Sequence, residues 1–310
     1  MAYKPRTTPV EILKLRILNT RMDLATETKK YYLNKEKGYE GEVQFDLLTE
    51  KLQSNGLILN DLQLEIDNSP FQLDTTIIFQ ETIFPIDVKN YQGDFIFKPD
   101  RLETTSGKQY KNPLDQLKRS KFLLGQLLQK HGYNFAIEGY IVFINPEFTL
   151  YQAPLNESFI FPTQLNAFMK KLDAQPTNLT YRHKALADKL VSLHQTKSPF
   201  NKVPAYDYDG MRKGVTCKVC NSFKVDVPVG GGCGVGGGKK MVCGDCGCEE
   251  GVVLAVLRSV EEIKILFPDM KITTNIVYEW CGGIVSKKVI RTILKENFKA
   301  IGESRHCYYE

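Results

Sequence analysis

The chain has 310 residues and a net charge of +5, and its apolar content of 42% is sufficient for at least one sizeable core. The mild positive charge is compatible with a polyanionic partner but does not require one. No apolar run is long enough to cross a bilayer, and the first twenty residues lack the apolar segment of a secretory signal. We therefore expect a cytoplasmic protein of about two domains, with no membrane partner. Its eight cysteines are then expected to be thiols, and clustered cysteines in that compartment bind metal more often than they form disulfides.

The first half of the chain alternates between helical and strand-like patterns. Residues 9–36 and 38–54 have the apolar spacing of helices, and four strand-like segments lie between residues 57 and 98. Asn112 as N-cap, Pro113 in the first turn and Gly132 at the end predict a helix between them. A strand and a short helix follow. This order predicts an α/β fold in which a central mixed sheet is covered by helices.

Changes in composition divide the chain into five segments. We expect an N-terminal helical arm, an α/β domain, a helical linker, a Cys- and Gly-rich domain and a C-terminal helical module, at residues 1–37, 38–173, 174–214, 215–250 and 251–310. The N-terminal arm packs either on the main domain or on a second subunit.

An acid and a lysine share one face of the predicted strand in the sequence FPIDVKNYQG. Asp87 and Lys89 alternate with the apolar Ile86 and Val88, so both point away from the face that those residues bury. Most charged residues on a half-exposed strand are solvated. The pair is therefore either a surface ion pair or half of a reaction centre.

A β-hairpin would bring a second acid to this pair. If the hairpin is centred between Gln80 and Glu81, antiparallel pairing places Asp74 opposite Asp87, with Cβ atoms about 5 Å apart. Two carboxylates at that distance repel each other unless a cation lies between them. Mg²⁺ satisfies this requirement, since it takes one or two carboxylates and keeps waters, and Lys89 would polarise a phosphate oxygen or orient water. The alternative is two unrelated surface acids.

Five short motifs occur in a fixed order over roughly a third of the chain: GYEGE (38–42), LDTTIIF (73–79), IDVKNYQG (86–93), NPLDQLKRS (112–120) and VFINPEFTLY (142–151). Together they resemble the nuclease-related domain, NERD, a branch of the PD-(D/E)xK nuclease superfamily. The resemblance implies a central sheet flanked by helices, and a site for Mg²⁺ or Mn²⁺ that hydrolyses phosphodiester bonds of nucleic acid, with DNA expected rather than RNA.

The resemblance also implies a catalytic set, which is Glu42, Asp74, Asp87, Lys89 and Gln116. Glu42 on the first helix of the domain binds the metal directly or through water, together with the two aspartates. Gln116 resembles a glutamine that lies near the scissile phosphate. Leu73 stands where the superfamily name has proline. The alternative is a non-enzymatic nucleic-acid-binding or assembly protein with an inactive nuclease-like core.

Two Cys-x-x-Cys motifs in the C-terminal half predict a structural zinc site formed by Cys217, Cys220, Cys243 and Cys246. Four thiolates complete a closed tetrahedral site, as in a zinc ribbon. Cys233 and Cys248 are near enough in the sequence to replace one of the four, and redox chemistry is the alternative function. Lys239 and Lys240, in the Gly-rich segment between the motifs, either contact a phosphate backbone or are solvated.

A short helix ending at Gly282 and Gly283, followed by a helix capped by Ser286, is similar to a helix-turn-helix. We expect Val289, Ile293 and Leu294 to face inward. The expected nucleic-acid-binding residues line the outer side: Lys287, Lys288, Arg291 and Lys295. The alternatives are solvated lysines on a helical hairpin packed on the zinc ribbon, or a homo-oligomer interface formed by this module or by the N-terminal helix.

Overall fold

The structure of the chain, a computed structural model, describes residues 1–155, 158–195, 202–227, 240–302 and 307–310. The α-helices in these ranges are α1 (Val10–Arg21), α2 (Thr26–Thr49), α3 (Pro113–Lys130), α4 (Leu165–Asp173), α5 (Tyr181–Ser192), α6 (Val252–Leu266), α7 (Thr274–Trp280) and α8 (Lys287–Asn297). A 3₁₀ helix at Pro162–Gln164 precedes α4.

The strands in the first part of the chain are β1 (Leu57–Ile66), β2 (Ser69–Ile78), β3 (Thr82–Lys89), β4 (Gly93–Phe97), β5 (Arg101–Thr104), β6 (Gln109–Lys111), β7 (Ala136–Ile137), β8 (Tyr140–Phe143), β9 (Phe148–Tyr151) and β10 (Phe159–Ile160). The later strands are β11 (Val225–Asp226), β12 (Lys240–Cys243), β13 (Glu249–Gly251), β14 (Ala300–Ile301) and β15 (Tyr308–Tyr309).

The chain divides into two structural units. Unit 1 comprises Met1–Thr8 and Leu33–Asn201, and unit 2 comprises Pro9–Tyr32 and Lys202–Glu310. The expected border between residues 37 and 38 therefore falls inside α2. A glycine within a helical pattern, such as Gly38, weakens the helix without ending it. Helix α1 ends before Met22, whose backbone is extended, and the border between the units within α2 lies between Tyr32 and Leu33.

A mixed β-sheet forms the centre of unit 1, with the strand order β1-β2-β3-β8-β10 and with β7 beside β3. Strands β1, β2 and β3 are antiparallel, whereas β8 is parallel to both β3 and β10. A second sheet has the order β6-β5-β4-β9. The predicted α/β class with a central mixed sheet is confirmed.

Helices cover both faces of the central sheet. On one face, Leu124 and Leu128 of α3 and Leu190 of α5 belong to a cluster with apolar residues of β1 and β2. On the other face, Phe45 of α2 and Phe168 of α4 pack with residues of β1, β2 and β3. Helix α5, expected in a linker, thus contributes to the core of unit 1. Its buried side chains return every three or four residues, as in an amphipathic helix packed on a sheet.

Helix α3 begins and ends as the sequence predicts. The side chain of Asn112 accepts a hydrogen bond from the backbone N–H of Leu114, Pro113 is the first helical residue, and Gly132 follows with a φ of 77°. These signals fix the position of the helix along the chain, and therefore the position of Gln116 in its first turn.

Unit 2 has one hydrophobic core, which is shared by its helices and by the ribbon, the three-stranded sheet β11-β12-β13 with the segments between its strands. Val225 and Met241 of the three-stranded sheet β11-β12-β13 lie in the same cluster as Val256, Trp280 and Ile290 of α6, α7 and α8. The segments expected at residues 215–250 and 251–310 therefore share a single interior. Strands of two to four residues expose too much surface to build a core of their own.

A buried arginine fixes α1 within unit 2. The side chain of Arg21 is 1% exposed and donates to Glu262 of α6 and to the carbonyl oxygens of Arg212 and Gly214. Its guanidinium lies 4.2 Å from the centre of the Trp280 ring. Cation–π and charge-assisted contacts of this kind compensate the cost of burying the charge.

Gly41 allows α2 to lie close to the end of β3. A Cβ atom on Gly41 would come within 2.5 Å of Asn90 Cβ and 3.2 Å of Ile144 Cγ2. Asn90 cannot retreat easily, because its Nδ2 donates to the Lys37 carbonyl and its Oδ1 accepts from the side-chain amide of Asn145.

We expect Gly41→Ala to lower the free energy of unfolding of unit 1 by about 1–3 kcal/mol, since the added methyl group overpacks this contact. Gly38→Ala is the matched control, because a Cβ there meets nothing within 4 Å and alanine favours a helix by up to about 1 kcal/mol over glycine. Urea unfolding of both variants checks the prediction. Equal stability of the two would show that the close approach of α2 imposes no constraint.

Candidate functional site

The hairpin of β2 and β3 has the register that the sequence predicts. Thr75 pairs with Ile86 and Ile77 pairs with Phe84, and the same register continued by one residue places Asp74 opposite Asp87. The backbone N–H of Val88 donates to Asp74 Oδ2 at 2.9 Å. Two acids distant in the sequence therefore lie side by side on neighbouring strands.

Lys89 joins Asp87 to helix α3. Its Nζ donates to Asp87 Oδ1 at 2.8 Å and to Gln116 Oε1 at 3.1 Å. The side chains of Lys89 and Asp87 are only 15% and 12% exposed. The structure therefore brings together four of the five residues that the resemblance implied: Asp74, Asp87, Lys89 and Gln116. Asp74, Asp87 and Gln116 line a cleft between β2, β3 and α3, together with Ser120.

One oxygen of Asp87 lacks a hydrogen-bond donor among the described residues. Asp87 Oδ2 is buried and accepts no hydrogen bond from an N–H group or a hydroxyl, and the carboxyl group of Asp74 lies within hydrogen-bonding reach of the Asp87 carboxyl group. Burial raises the pKa of Asp87 to about 7; Lys89 opposes the rise and the neighbouring Asp74 adds to it. A buried carboxylate oxygen without a donor is costly. Because carboxylate oxygens are the ligands of hard divalent cations, Asp74 and Asp87 fit such an ion.

The pKa of Lys89 is determined by burial and by the acidic groups around it. Burial lowers the pKa of this lysine, but the negative charges of Asp87, Tyr91 in its ionised form and Asp74 outweigh burial, and the resulting pKa is raised. Lys89 is therefore a stable cation at neutral pH, held between an acid and an amide.

Glu42, the fifth implied residue, is held by an arginine that the sequence pattern did not identify. Arg6 Nη1 donates to Glu42 Oε2 in a short ion pair, and Arg6 Nε donates to Asp46 Oδ2 at 2.8 Å. Glu42 and Asp46 are four residues apart on α2, so they share one helix face. Burial and the charge of Asp74 raise the pKa of Glu42 to about 8, against the opposing effect of Arg6.

A third strand contributes an acid that the sequence pattern also did not identify. In β1, Asn60 pairs with Thr75 and Leu62 pairs with Leu73, so Asp61 occupies the position opposite Asp74. Asp61 has a φ of 51°, and its Oδ1 accepts from the side-chain amide of Gln72 at 3.1 Å. The negative charge of Asp61 also contributes to the raised pKa of Glu42.

The four predicted zinc ligands come together. One Sγ atom from each of Cys217, Cys220, Cys243 and Cys246 lies within 4.8 Å of the others. The Cys217–Cys246 and Cys220–Cys243 sulfur pairs are each 3.6 Å apart, close to the separation of about 3.8 Å that tetrahedral Zn–S bonds of 2.3 Å require. The group therefore fits a structural zinc ion.

The other cysteines do not compete for this position in the described structure. Cys248 Sγ donates to the carbonyl of Glu249 and is not part of the group of four, whereas Cys233 lies outside the described residues. Burial raises the pKa of Cys217, but backbone N–H groups of Cys220 and Val219 outweigh it and lower the pKa to about 6. A thiol that ionises below neutral pH is well suited to bind metal.

Among the described residues, only these thiols form a group of three or more His, Cys, Asp or Glu side chains whose ligand atoms lie within 4.8 Å of one another. Glu42, Asp74 and Asp87 do not come this close together. The structure therefore gives a pair of adjacent carboxylates, Asp74 and Asp87, with Glu42 bound to Arg6 and close enough to Asp74 for the charge of Asp74 to raise its pKa.

Helix α8 presents the four predicted basic residues to solvent. Ser286 caps the helix, and Lys287, Lys288, Arg291 and Lys295 are all exposed. The expected inward orientation of Val289 is wrong, since Val289 is 37% exposed and Ile290 is fully buried in its place. Lys240 Nζ pairs with Glu249 Oε2 at 2.8 Å, and Lys239 lies outside the described residues.

A family model described as the nuclease-related domain, NERD, matches residues 37–144. The match includes all five residues of the implied catalytic set and ends well before the cysteine group. It covers about a third of the chain. Residues 37–144 therefore carry a nuclease-related domain, which supports a nuclease-like function.

The chain matches no curated protein and no solved structure. Within the described part of the chain, no helix combines the length and the apolar composition that crossing a membrane requires.

We expect one zinc ion per chain, and Cys246→Ser should lose it and destabilise the ribbon. The reason is that metal binding supplies much of the folding free energy of such a small sheet. Cys248→Ser is the control, since its thiol is outside the group, and should retain zinc. Elemental analysis and thermal unfolding measure both effects. Wild-type protein purified without chelator and free of zinc would refute this assignment.

The raised pKa of Glu42 predicts a pH-dependent stability. The folded state keeps the Glu42 proton up to about pH 8, whereas the unfolded chain releases it near the ordinary value of 4.5. The folded state therefore binds more protons in this window, and its stability falls as the pH rises. Glu42→Gln removes this effect, so the variant should become more stable than wild type by roughly 1–3 kcal/mol at about pH 8.

Urea unfolding without added divalent cation, from about pH 5.5 to about pH 8, measures this difference. It should widen steadily with pH. A variant less stable than wild type at the upper end would show that the Arg6–Glu42 ion pair outweighs the cost of burying the carboxylate.

Proposed function

We propose that the protein is a metal-dependent nuclease whose reaction centre is formed by Asp74, Asp87 and Lys89. The observation that carries this proposal is the buried Asp87 Oδ2, which has no donor among the described residues and belongs to a carboxyl group that lies beside Asp74 and Lys89. The match to a nuclease-related domain supports it. The expected ion is Mg²⁺ or Mn²⁺, because both prefer carboxylate and water oxygens.

Each residue of the centre has a distinct task in phosphodiester hydrolysis. Asp74 and Asp87 would hold the ion, which supplies a Lewis acid and an activated water when bound. Lys89, charged and held in place, stabilises negative charge on a phosphate oxygen or orients the attacking water. Gln116 positions Lys89 through its 3.1 Å hydrogen bond and faces the cleft. Glu42 acts at a greater distance, through water.

Unit 2 supplies the binding surface in this proposal. The exposed basic residues of α8 form a cationic face on a helix that is anchored by Ile290, Ile293 and Leu294. The major groove of DNA admits an α-helix, whereas the deep, narrow major groove of duplex RNA does not. DNA is therefore the favoured substrate.

A second function, assembly, is favoured by one observation. Val289 is 37% exposed among the basic residues of α8, and Leu254 of α6 is 62% exposed. Exposed apolar side chains are ordinary when single. Val289 on α8 and Leu254 on α6 would each suit contact with a protein partner or with a second copy of the chain. A non-enzymatic protein of this kind would bind nucleic acid without cleaving it.

Incubation with labelled single- and double-stranded DNA and RNA, with Mg²⁺, Mn²⁺ or no added ion, tests the proposal. We expect metal-dependent cleavage, with DNA preferred. Binding without cleavage under every condition would favour the non-enzymatic function.

We expect Asp87→Ala and Lys89→Ala each to reduce cleavage at least about a hundredfold, since each removes a group that contacts metal or phosphate. Asp67→Ala is the matched control, because its side chain is 74% exposed and pairs only with Lys130 at the surface. Initial rates on one oligonucleotide, with folding checked by circular dichroism, measure the effect. Cleavage by folded Asp87→Ala at the wild-type rate would exclude this reaction centre.

Replacing the four basic residues of α8 by alanine should weaken DNA binding and flatten its salt dependence. Every phosphate that the variant no longer neutralises reduces the slope of log K against log salt by about one. The control replaces four exposed lysines elsewhere, at positions Lys29, Lys30, Lys51 and Lys184, and removes the same charge. An unchanged salt slope together with an altered oligomeric mass would identify α8 as an assembly surface.

A further inference from the structure

Arg6 is the most deeply buried cation next to the proposed reaction centre. Its side chain is 3% exposed. Besides Glu42 and Asp46, its Nη2 donates to the carbonyl oxygen of Asp74 at 2.8 Å and reaches Thr75 Oγ1 at 3.4 Å. The guanidinium therefore links helix α2 to strand β2 at Asp74, the first residue of the acidic pair.

The N-terminal segment fixes Arg6 in this position. The backbone N–H of Lys4 donates to the Ile58 carbonyl at 3.1 Å, and the Lys4 carbonyl accepts from the Asn60 N–H at 2.9 Å. Lys4 Nζ also donates to the carbonyl oxygens of Asn60 and Asp61. Lys4 is thereby bound beside β1, the outer strand of the central sheet, and Arg6 two residues later reaches the acids from that edge.

The acids around Arg6 are of the kind that would otherwise bind a second divalent cation. Sites with two divalent ions hold them about 3.5–4 Å apart with shared carboxylates. Here the ligand oxygens of Glu42, Asp74 and Asp87 are not all within 4.8 Å of one another, although the charge of Asp74 acts on Glu42. Arg6 binds the carboxyl groups of Glu42 and Asp46 through a guanidinium that keeps its positive charge.

We propose that Arg6 is a positioning residue that takes the place of a second divalent cation, keeping Glu42 bound to its guanidinium so that Asp74 and Asp87 alone bind metal directly and the centre holds a single ion. This inference rests on the proposed function, and it adds the number of ions and the residue that determines it. The guanidinium of Arg6 supplies a fixed positive charge at one side of the Asp74–Asp87 pair. The other side of the pair, toward Lys89 and Gln116, is then left for the metal ion and the phosphate.

Titration of zinc-loaded protein with Mn²⁺ tests the inference, with calorimetry for stoichiometry and electron paramagnetic resonance for coupling between ions. We expect one Mn²⁺ for wild type. In Arg6→Gln, the freed carboxylates of Glu42 and Asp46 should create a second Mn²⁺ site. Arg6→Lys retains the positive charge and should return to one ion, and Arg6→Gln combined with Glu42→Gln should lose the second site.

A purely structural role for Arg6 predicts a different result, namely lower stability with one ion in every folded variant. Two coupled Mn²⁺ ions in wild type, or one ion in folded Arg6→Gln, would overturn the inference while leaving the proposed function intact. No Mn²⁺ binding by wild type would contradict the inference and the proposed function together.

Glu42→Gln alone gives a second route if Arg6→Gln does not fold. A Glu42 that is held by Arg6 and acts through water should leave one Mn²⁺ bound, with an affinity within about tenfold of wild type. A larger loss of affinity would identify Glu42 as a direct ligand and would overturn the inference.

Discussion

Two half-buried carboxylates, which repel each other when both are ionised, lie side by side at the centre of the proposed site in unit 1. Asp74 and Asp87 lie opposite each other on β2 and β3, and Asp87 Oδ2 has no donor among the described residues. Lys89 supplies one positive charge to this pair. Burying like charges side by side costs stability unless cations compensate it. A divalent cation bound by both aspartates, as proposed above, would offset this cost.

The surrounding fold holds these groups in position. Strand pairing fixes the two aspartates, and a capped, amphipathic α3 fixes Gln116 beside Lys89. Gly41 lets α2 approach the end of β3 closely enough for Glu42 to meet Arg6. Side chains that are locked by hydrogen bonds on rigid elements keep the geometry that catalysis requires.

The sequence predicts the features that depend on local pattern. Alternation along β3 and a hairpin centred near Gln80 suffice to place Asp74 opposite Asp87, and the spacing of two Cys-x-x-Cys motifs suffices to group four thiols. Arg6 could not be predicted, because its segment joins β1 through contacts more than fifty residues apart. The error at Val289 has a simpler cause. Val289 and Ile290 are both apolar, so the sequence pattern does not tell which one faces the core, and a shift of one residue turns a helix by about 100°.

Anomalous diffraction from crystals soaked in Mn²⁺ would locate the ion at the acidic pair without relying on activity. We expect one Mn²⁺ peak within coordination distance of carboxylate oxygens of both Asp74 and Asp87, with Arg6 still bound to Glu42. No peak at this pair in crystals whose cleft is open to solvent, or a peak bound to other acids, would contradict this expectation.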